Sequence, residues 1–235
     1  MIERYTDVQI SDIWAESSKR RRWFEIEVEN MRRTASNELA EALAQIGPPA
    51  ARLVSEHEKR VRHDVMAFLL ALDDRIRSVS TTFPDLPVDQ LRQWLHYELT
   101  SSDVTDTALG MAVRDTHRVL RGYAVELRGA LWRVQEQIDG TQTIGRTHGQ
   151  WARPMQAAHP WMVLLGMYNR ATQRWSQTHY GFGKMSGPLG EQRMGEDEAL
   201  SRLGVDGYLS TQLVPRDQIV HWARDLLGVL EVCEA

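Results

Sequence analysis

At 235 residues with 42% hydrophobic side chains, the chain carries enough apolar material for one large domain or two small ones. Its 32 acidic and 28 basic residues, a net charge of -4, are mixed along the sequence; this excludes the basic stripe of a nucleic-acid binder but leaves room for a nucleotide-sized anion. A single cysteine, Cys233, excludes an intrachain disulfide and fits the reducing cytoplasm, and no apolar run approaches the ~20 residues of a membrane span or forms an export signal.

In chain order, Ser11 is placed to cap a helix bearing Ile13, Trp14, Phe24, Val28 and Met31, and Gly47-Pro48-Pro49 stops the helix that follows. Val65, Met66, Phe68, Leu69, Leu72 and Ile76 mark another helical face. Ser, Thr and two prolines between Ser78 and Pro87 predict a boundary between an N-terminal helical domain, 1–86, and a second domain, 87–235. The second opens on a long helix from Val104 to Ile138, with Leu109, Val113, Leu120, Leu127, Leu131, Val134 and Ile138 along one face. Gly181 to Gly207 holds seven of the sixteen glycines and reads as a mobile loop or a connector. Pro215 then sits in the first turn of a last helix whose face is Ile219, Ala223, Leu226, Leu227 and Leu230. That helix meets no stop signal, the pattern of a bundle interrupted midway. Strand signals are almost absent, so the expected fold class is all-α. The eight tryptophans, scattered through helical segments, read as core or interface packing.

Several polar clusters stand out. His96-Tyr-Glu-Leu-Thr-Ser-Ser-Asp103 puts hydroxyls and amides just before the long helix, where unpaired N–H groups and the helix dipole favour an anion; on spacing alone, Ser102 or Asp103 simply caps that helix. Ile144-Gly-Arg-Thr-His-Gly-Gln150 reads as a loop between two helices that presents a histidine able to exchange protons near neutral pH. Val61-Arg-His-Asp-Val65 puts His63 and Asp64 at a helix start, where an ordinary first-turn charge is the plainer reading. There is no HExxH, GxSxG or phosphate-loop pattern, and one cysteine cannot make a zinc cluster, so neither metal nor cofactor is expected.

The opening Met-Ile-Glu-Arg-Tyr-Thr6, the Leu99-Thr-Ser-Ser-Asp-Val-Thr-Asp-Thr107 segment and Gly145-Arg-Thr-His-Gly-Gln150 together resemble the amino-terminal half of adenylosuccinate lyases. These belong to the fumarase and aspartase superfamily of long-helix bundles. The resemblance implies that the second domain is part of such a bundle. It also implies that Thr100 and Ser101 contact the succinyl carboxylates with His96 beside them, and that His148 is the general acid with Thr147 as an anion contact. His63 and Asp64 would line the nucleotide end, Arg4 and Tyr5 would touch its phosphate, and Gln212, with Arg216 more weakly, would reach substrate from Ser210-Thr-Gln-Leu-Val-Pro-Arg-Asp217. The implied reaction releases fumarate from adenylosuccinate, with AMP as the other product, and the implied assembly is a homo-oligomer with no nucleic-acid or membrane partner. The family's loop carrying the catalytic serine has no counterpart here. Lys184-Met-Ser-Gly187 resembles an earlier family stretch, and Glu191, like Gln150 to Gln156, departs from the family pattern. The base would therefore come from a second polypeptide, or from Ser186, Ser101 or Ser102. The competing expectation is an inactive homologue that binds a purine nucleotide or associates with a full-length lyase.

Overall fold

The computed structural model describes residues 2–79 and 84–234. After a short 3-10 turn at Glu3–Tyr5, α1 spans Val8–Ile13 and α2 Glu16–Thr34. The cap of α1 is Asp7, whose carboxylate accepts the Ile10 N–H at 2.9 Å, so Ser11 lies inside the helix instead of starting it. The chain breaks at Trp14 and Ala15, and Trp14, 44% exposed, leaves the buried face that Trp23, Phe24, Ile26, Val28 and Met31 form on α2. Ser36 caps α3 (Asn37–Ile46) by accepting from Leu39 N–H at 3.2 Å, and Gly47 ends it at φ 75°, a conformation only glycine takes freely. α4 (Ala51–Val61) and α5 (Asp64–Val79) follow. Val65, Phe68, Leu69, Leu72 and Ile76 of α5 are buried as their spacing predicts, but Met66 is exposed. Part of the Ser78–Pro87 stretch lies outside the described residues.

Beyond it come α6 (Val88–Trp94) and α7 (Ser101–Ile138), three residues longer at its start than its apolar face implies. Next are strands β1 (Gln142–Thr147) and β2 (Gln150–Gln156), α8 (Ala158–Gln177), β3 (Phe182–Gly183), α9 (Glu196–Arg202), β4 (Asp206–Gly207) and α10 (Asp217–Glu234). The fold is helical, with two small two-stranded pairings: β1 with β2 antiparallel and β3 with β4 parallel. The β1–β2 pair had no sequence signal, because Thr143, Ile144, Gly145 and Arg146 do not alternate in polarity and Ile144 is 53% exposed. Among the described residues no helix is long and apolar enough to cross a membrane.

The chain divides into two compact units, Met1–Thr116 with Tyr180–Arg216, and His117–His179 with Asp217–Ala235. The expected boundary at 86/87 falls inside the first of them. That unit is built around a T-shaped Trp23–Phe68 contact, ring centroids 5.6 Å apart, with Met31, Leu43, Leu72 and Leu91 buried about it. The first part of the glycine-rich segment joins this core: residues 181–187 are all buried, and Met185 packs in the same cluster. The approach of β3 to α7 depends on Gly110, where a Cβ atom would lie 1.8 Å from the Phe182 carbonyl oxygen.

In the second unit α8 packs on α10, Tyr168 donates to the Ala124 carbonyl at 2.8 Å, and the His117 ring stands edge-on to Trp175 at 4.7 Å. Its apolar faces are only partly covered. Leu127 on α7 is 40% exposed, and Leu227 and Leu230 of α10 are 54% and 52% exposed, with Val229 buried in their place. α10 begins two residues after Pro215, which therefore precedes its first turn.

Candidate functional site

The start of α7 is the best-organised polar region of the first unit. Asp103, at the third position of the helix, accepts the Thr100 N–H at 2.6 Å, closing the turn that starts the helix. Ser101 follows half-exposed, and its Oγ lies 3.5 Å from Nε2 of His63. The other ring nitrogen of His63 accepts the Met66 N–H at 3.3 Å, so this histidine caps α5 while presenting its far edge to Ser101. Asp64 stands next to it, half-exposed, with its carboxylate 3.6 Å from His63 Nδ1. Four predicted residues, His63, Asp64, Thr100 and Ser101, are thus brought together by two helix starts, whose dipoles and leading N–H groups favour an anion.

The backbone leading into α7 is strained and tightly held. His96 and Glu98 have φ of 57° and 64°, values that non-glycine residues avoid. One face of α2 secures them. Glu27 accepts the His96 N–H at 2.9 Å and contacts its Nδ1 at 2.6 Å, Asn30 donates to the Tyr97 carbonyl at 2.9 Å, and Arg33 reaches Glu98 at 3.4 Å. Arg193 completes the hold on Glu98 at 2.7 Å, and this hydrogen bond is the main reason that the Glu98 carboxyl is held below its ordinary range. Burial of His96 opposes its charging, but the Glu27 carboxylate, helped by Asp103, outweighs burial and raises its pKa. The predicted residue His96 therefore stands beside Thr100 in sequence but faces Glu27.

A cleft of about 400 Å3 adjoins this region, with Asp64 in its wall. Ala108, Leu109 and Ala112 of α7 line it with apolar surface, Trp14 and Trp23 add aromatic surface, and the cationic Lys19, Arg22 and Arg216 share the wall with the carboxylates of Asp64 and Asp106. Arg22 is buried, which lowers its pKa despite the nearby charge of Asp115, 3.6 Å away. Arg216 is aimed by Asp106, a buried carboxylate that accepts its Nη2 at 2.9 Å and the Val214 N–H at 2.8 Å. This pins the 210–217 stretch to α7. Gln212 itself is exposed, outside the residues lining that cleft.

Arg4 and Tyr5 sit exposed on the 3-10 turn, the guanidinium 4.9 Å from the centre of the tyrosine ring. Thr147 and His148 belong to the second unit. The segment is a hairpin and not the loop between helices that the sequence suggested: Thr147 is the last residue of β1, paired with Gln150, and His148 and Gly149 form the turn at φ 50° and 74°. Both Thr147 and His148 are exposed. Of the serines considered as a base, Ser186 is buried and Ser102 is 8% exposed, which leaves Ser101 the most accessible. Among the described residues no group of three or more His, Cys, Asp or Glu side chains is placed to hold a metal ion.

Sequence reasoning missed Glu27, Asn30, Lys19, Arg22 and Trp14. Glu27 and Asn30 carried a readable signal, since polar residues one turn apart among Phe24, Ile26, Val28 and Met31 sit where only a partner makes burial tolerable. The cleft residues carried none, because they meet only when α1, α2, α5 and α7 pack.

The comparisons with known proteins agree with this architecture. The model of a family described as "Lyase" matches residues 4–220. The chain is 34% identical over 235 residues to the adenylosuccinate lyase of Thermotoga maritima, covering 93% of this chain and 51% of that protein. It is 28% identical to the adenylosuccinate lyase of Aquifex aeolicus, covering 93% and 51%. Among solved structures, 3-carboxy-cis,cis-muconate lactonizing enzyme from Pseudomonas putida superposes with a TM-score of 0.76 at 18% identity, over 97% of this chain and 54% of that one. A Mesorhizobium fumarate lyase gives 0.75 at 19%, over 96% and 55%. The chain spans about half the length of the curated relatives it matches, and by this evidence it belongs to the lyase family of the fumarase and aspartase superfamily, as an amino-terminal half similar to adenylosuccinate lyases.

Proposed function

We propose that this chain supplies the nucleotide- and succinyl-binding half of an adenylosuccinate lyase-type site in the cytoplasm and works within an oligomer. The observation that carries the proposal is the joining of Thr100, Ser101, His63 and Asp64 at two helix starts, beside a cleft lined by apolar, aromatic and cationic side chains. Such a surface suits a purine and its charged substituents. Elimination of fumarate requires a base that takes a proton from the carbon next to a carboxylate and an acid that protonates the departing nitrogen. His148, exposed at a hairpin tip, is the proposed acid, and Thr147 beside it an anion contact. A second polypeptide, carrying the remaining half, provides the base. Arg4, Tyr5, Gln212 and Arg216 are proposed substrate contacts.

A binding-only reading is favoured by one observation: Ser186, considered above as a substitute base, is buried with a hydroxyl that has no hydrogen-bond partner in the structure. Fumarate release from adenylosuccinate, followed by ultraviolet absorbance, separates the two. The enzyme reading expects slow release by the chain alone and a ~100- to 10,000-fold gain when a polypeptide with the remaining half is added. His148→Ala should abolish that gain while leaving nucleotide binding intact. Binding without any gain in rate supports the binding-only reading, and absence of binding removes both.

A further inference from the structure

Lys184 and Asp103 form an ion pair with both side chains fully buried, the ammonium 2.5 Å from Asp103 Oδ1. Burying two charges is costly, and such a pair is weak evidence for stability, so its location is the informative feature. Asp103 uses its two oxygens differently. Oδ2 holds the Thr100 N–H, while Oδ1 takes Lys184 and, at 3.2 Å, the Gly187 N–H. Lys184 is fixed in turn by the Gly187 carbonyl at 2.9 Å, and its own backbone N–H and carbonyl both meet Thr107 Oγ1 at 3.0 and 2.9 Å. Gly187 has φ 71° and a Cβ there would lie 3.0 Å from the Glu98 carbonyl, so this turn lies directly against the backbone that leads into Thr100.

A carboxylate three residues into a helix is a good cap, but it is also a negative charge at the end that would receive an anion. Asp103 alone would shape the turn and repel a dicarboxylate. We propose that Lys184 is a positioning residue that cancels the Asp103 charge and so lets the start of α7 accept the succinyl carboxylates of a substrate. This rests on the reading under Proposed function. Other titratable groups lie close by, His63, Asp64, His96 and Glu98 among them, so binding is compared at one fixed pH.

The test is a charge series on the whole chain, with affinities for adenylosuccinate and for AMP measured by calorimetry. Lys184→Met leaves a net negative charge, Asp103→Asn a net positive one, and the double variant none; asparagine can still accept the Thr100 N–H. One unit charge about 6 to 12 Å from the ligand at an effective dielectric near 20 corresponds to ~10- to 100-fold in affinity. Lys184→Met is therefore expected to lose that much for adenylosuccinate and under ~3-fold for AMP. Asp103→Asn and the double variant should bind adenylosuccinate at least as well as the unmodified chain. A purely structural role predicts that both single variants weaken both ligands alike, and that result overturns the proposal, as does an unchanged Lys184→Met. Should Lys184→Met fail to fold, Asp103→Asn and the double variant still decide, since weakened adenylosuccinate binding in the folded forms overturns it too. If the unmodified chain binds AMP but not adenylosuccinate, this inference falls while nucleotide binding stands; if it binds neither, the functional reading falls and takes this inference with it.

Discussion

Glu27, 1% exposed, holds His96 through both backbone and ring, accepting the N–H at 2.9 Å and meeting Nδ1 at 2.6 Å. Because the folded state raises the pKa of His96 above 6.5, the charged pair contributes stability that is fully present below that unfolded value and is lost as pH rises through the folded one. Glu27→Gln should therefore cost more stability at pH 5.5 than at pH 9. Urea denaturation at the two pH values measures the difference, and an equal loss at both would show that the ion pair contributes nothing.

His117 behaves in the opposite sense. Burial, reinforced by Arg121 and His179, lowers its pKa to about 4, so it folds in the neutral form against Trp175. A depressed folded value contributes stability above the unfolded pKa near 6.5 and loses it as pH falls toward 4. The melting temperature should thus drop across that interval, and His117→Phe, which keeps an aromatic edge on Trp175, should flatten the drop.

His63 has two separable roles. Alanine there removes the cap of α5 and should cost ~0.5–2 kcal/mol of stability. Asparagine can still accept the Met66 N–H, so His63→Asn should recover most of that stability while losing the contact to Ser101. On the proposed function, both variants should weaken the thermal shift produced by saturating AMP, a ligand effect that follows mass action. A full shift in His63→Asn would remove this residue from the site.

Two glycines of α7 give a matched pair. Gly110→Ala forces a methyl to within 1.8 Å of the Phe182 carbonyl and should cost ~2–4 kcal/mol or prevent folding. At Gly122 the added methyl meets nothing within 4 Å, and alanine should stabilise the helix by up to ~1 kcal/mol. Denaturant unfolding of both variants tests whether β3 is docked as described.

The helices were legible wherever a local signal reached the final structure. Gly47 ends α3 as expected, and the apolar spacing of α5 matched burial except at Met66, whereas on the first half of α7 Val113 is buried and Leu109 half-buried. Two kinds of information were not local. The Asp7 cap competes with Ser11, and only the geometry decides between two good capping residues four positions apart. The β1–β2 hairpin has no buried face of its own to impose alternation, so a two-residue period never appears in its sequence. For the candidate site, the family resemblance pointed to His63, Asp64, Thr100 and Ser101, which the structure brings together, whereas residue types alone read them as helix caps and first-turn charges. Of the partners that hold their surroundings, Glu27 and Asn30 stand out locally as polar residues on an apolar face, but the segment they hold, like the role of Lys184, is recognisable only once stretches distant in the sequence meet.

The turn of that hairpin has a consequence of its own. Positive φ at both central residues is the geometry in which Asn-Gly is preferred, because asparagine tolerates the left-handed region and most other side chains resist it. The chain puts an imidazole at position 148 where the backbone alone would favour an amide. A hairpin exposed on both faces has little packing with which to offset that preference, so it stands near the lower edge of local stability. His148→Asn should protect the β1–β2 amides from hydrogen exchange more strongly than in the natural chain. Whatever the histidine contributes is thus set against the rigidity of the tip that carries it, and a search for more stable variants would discard this side chain early.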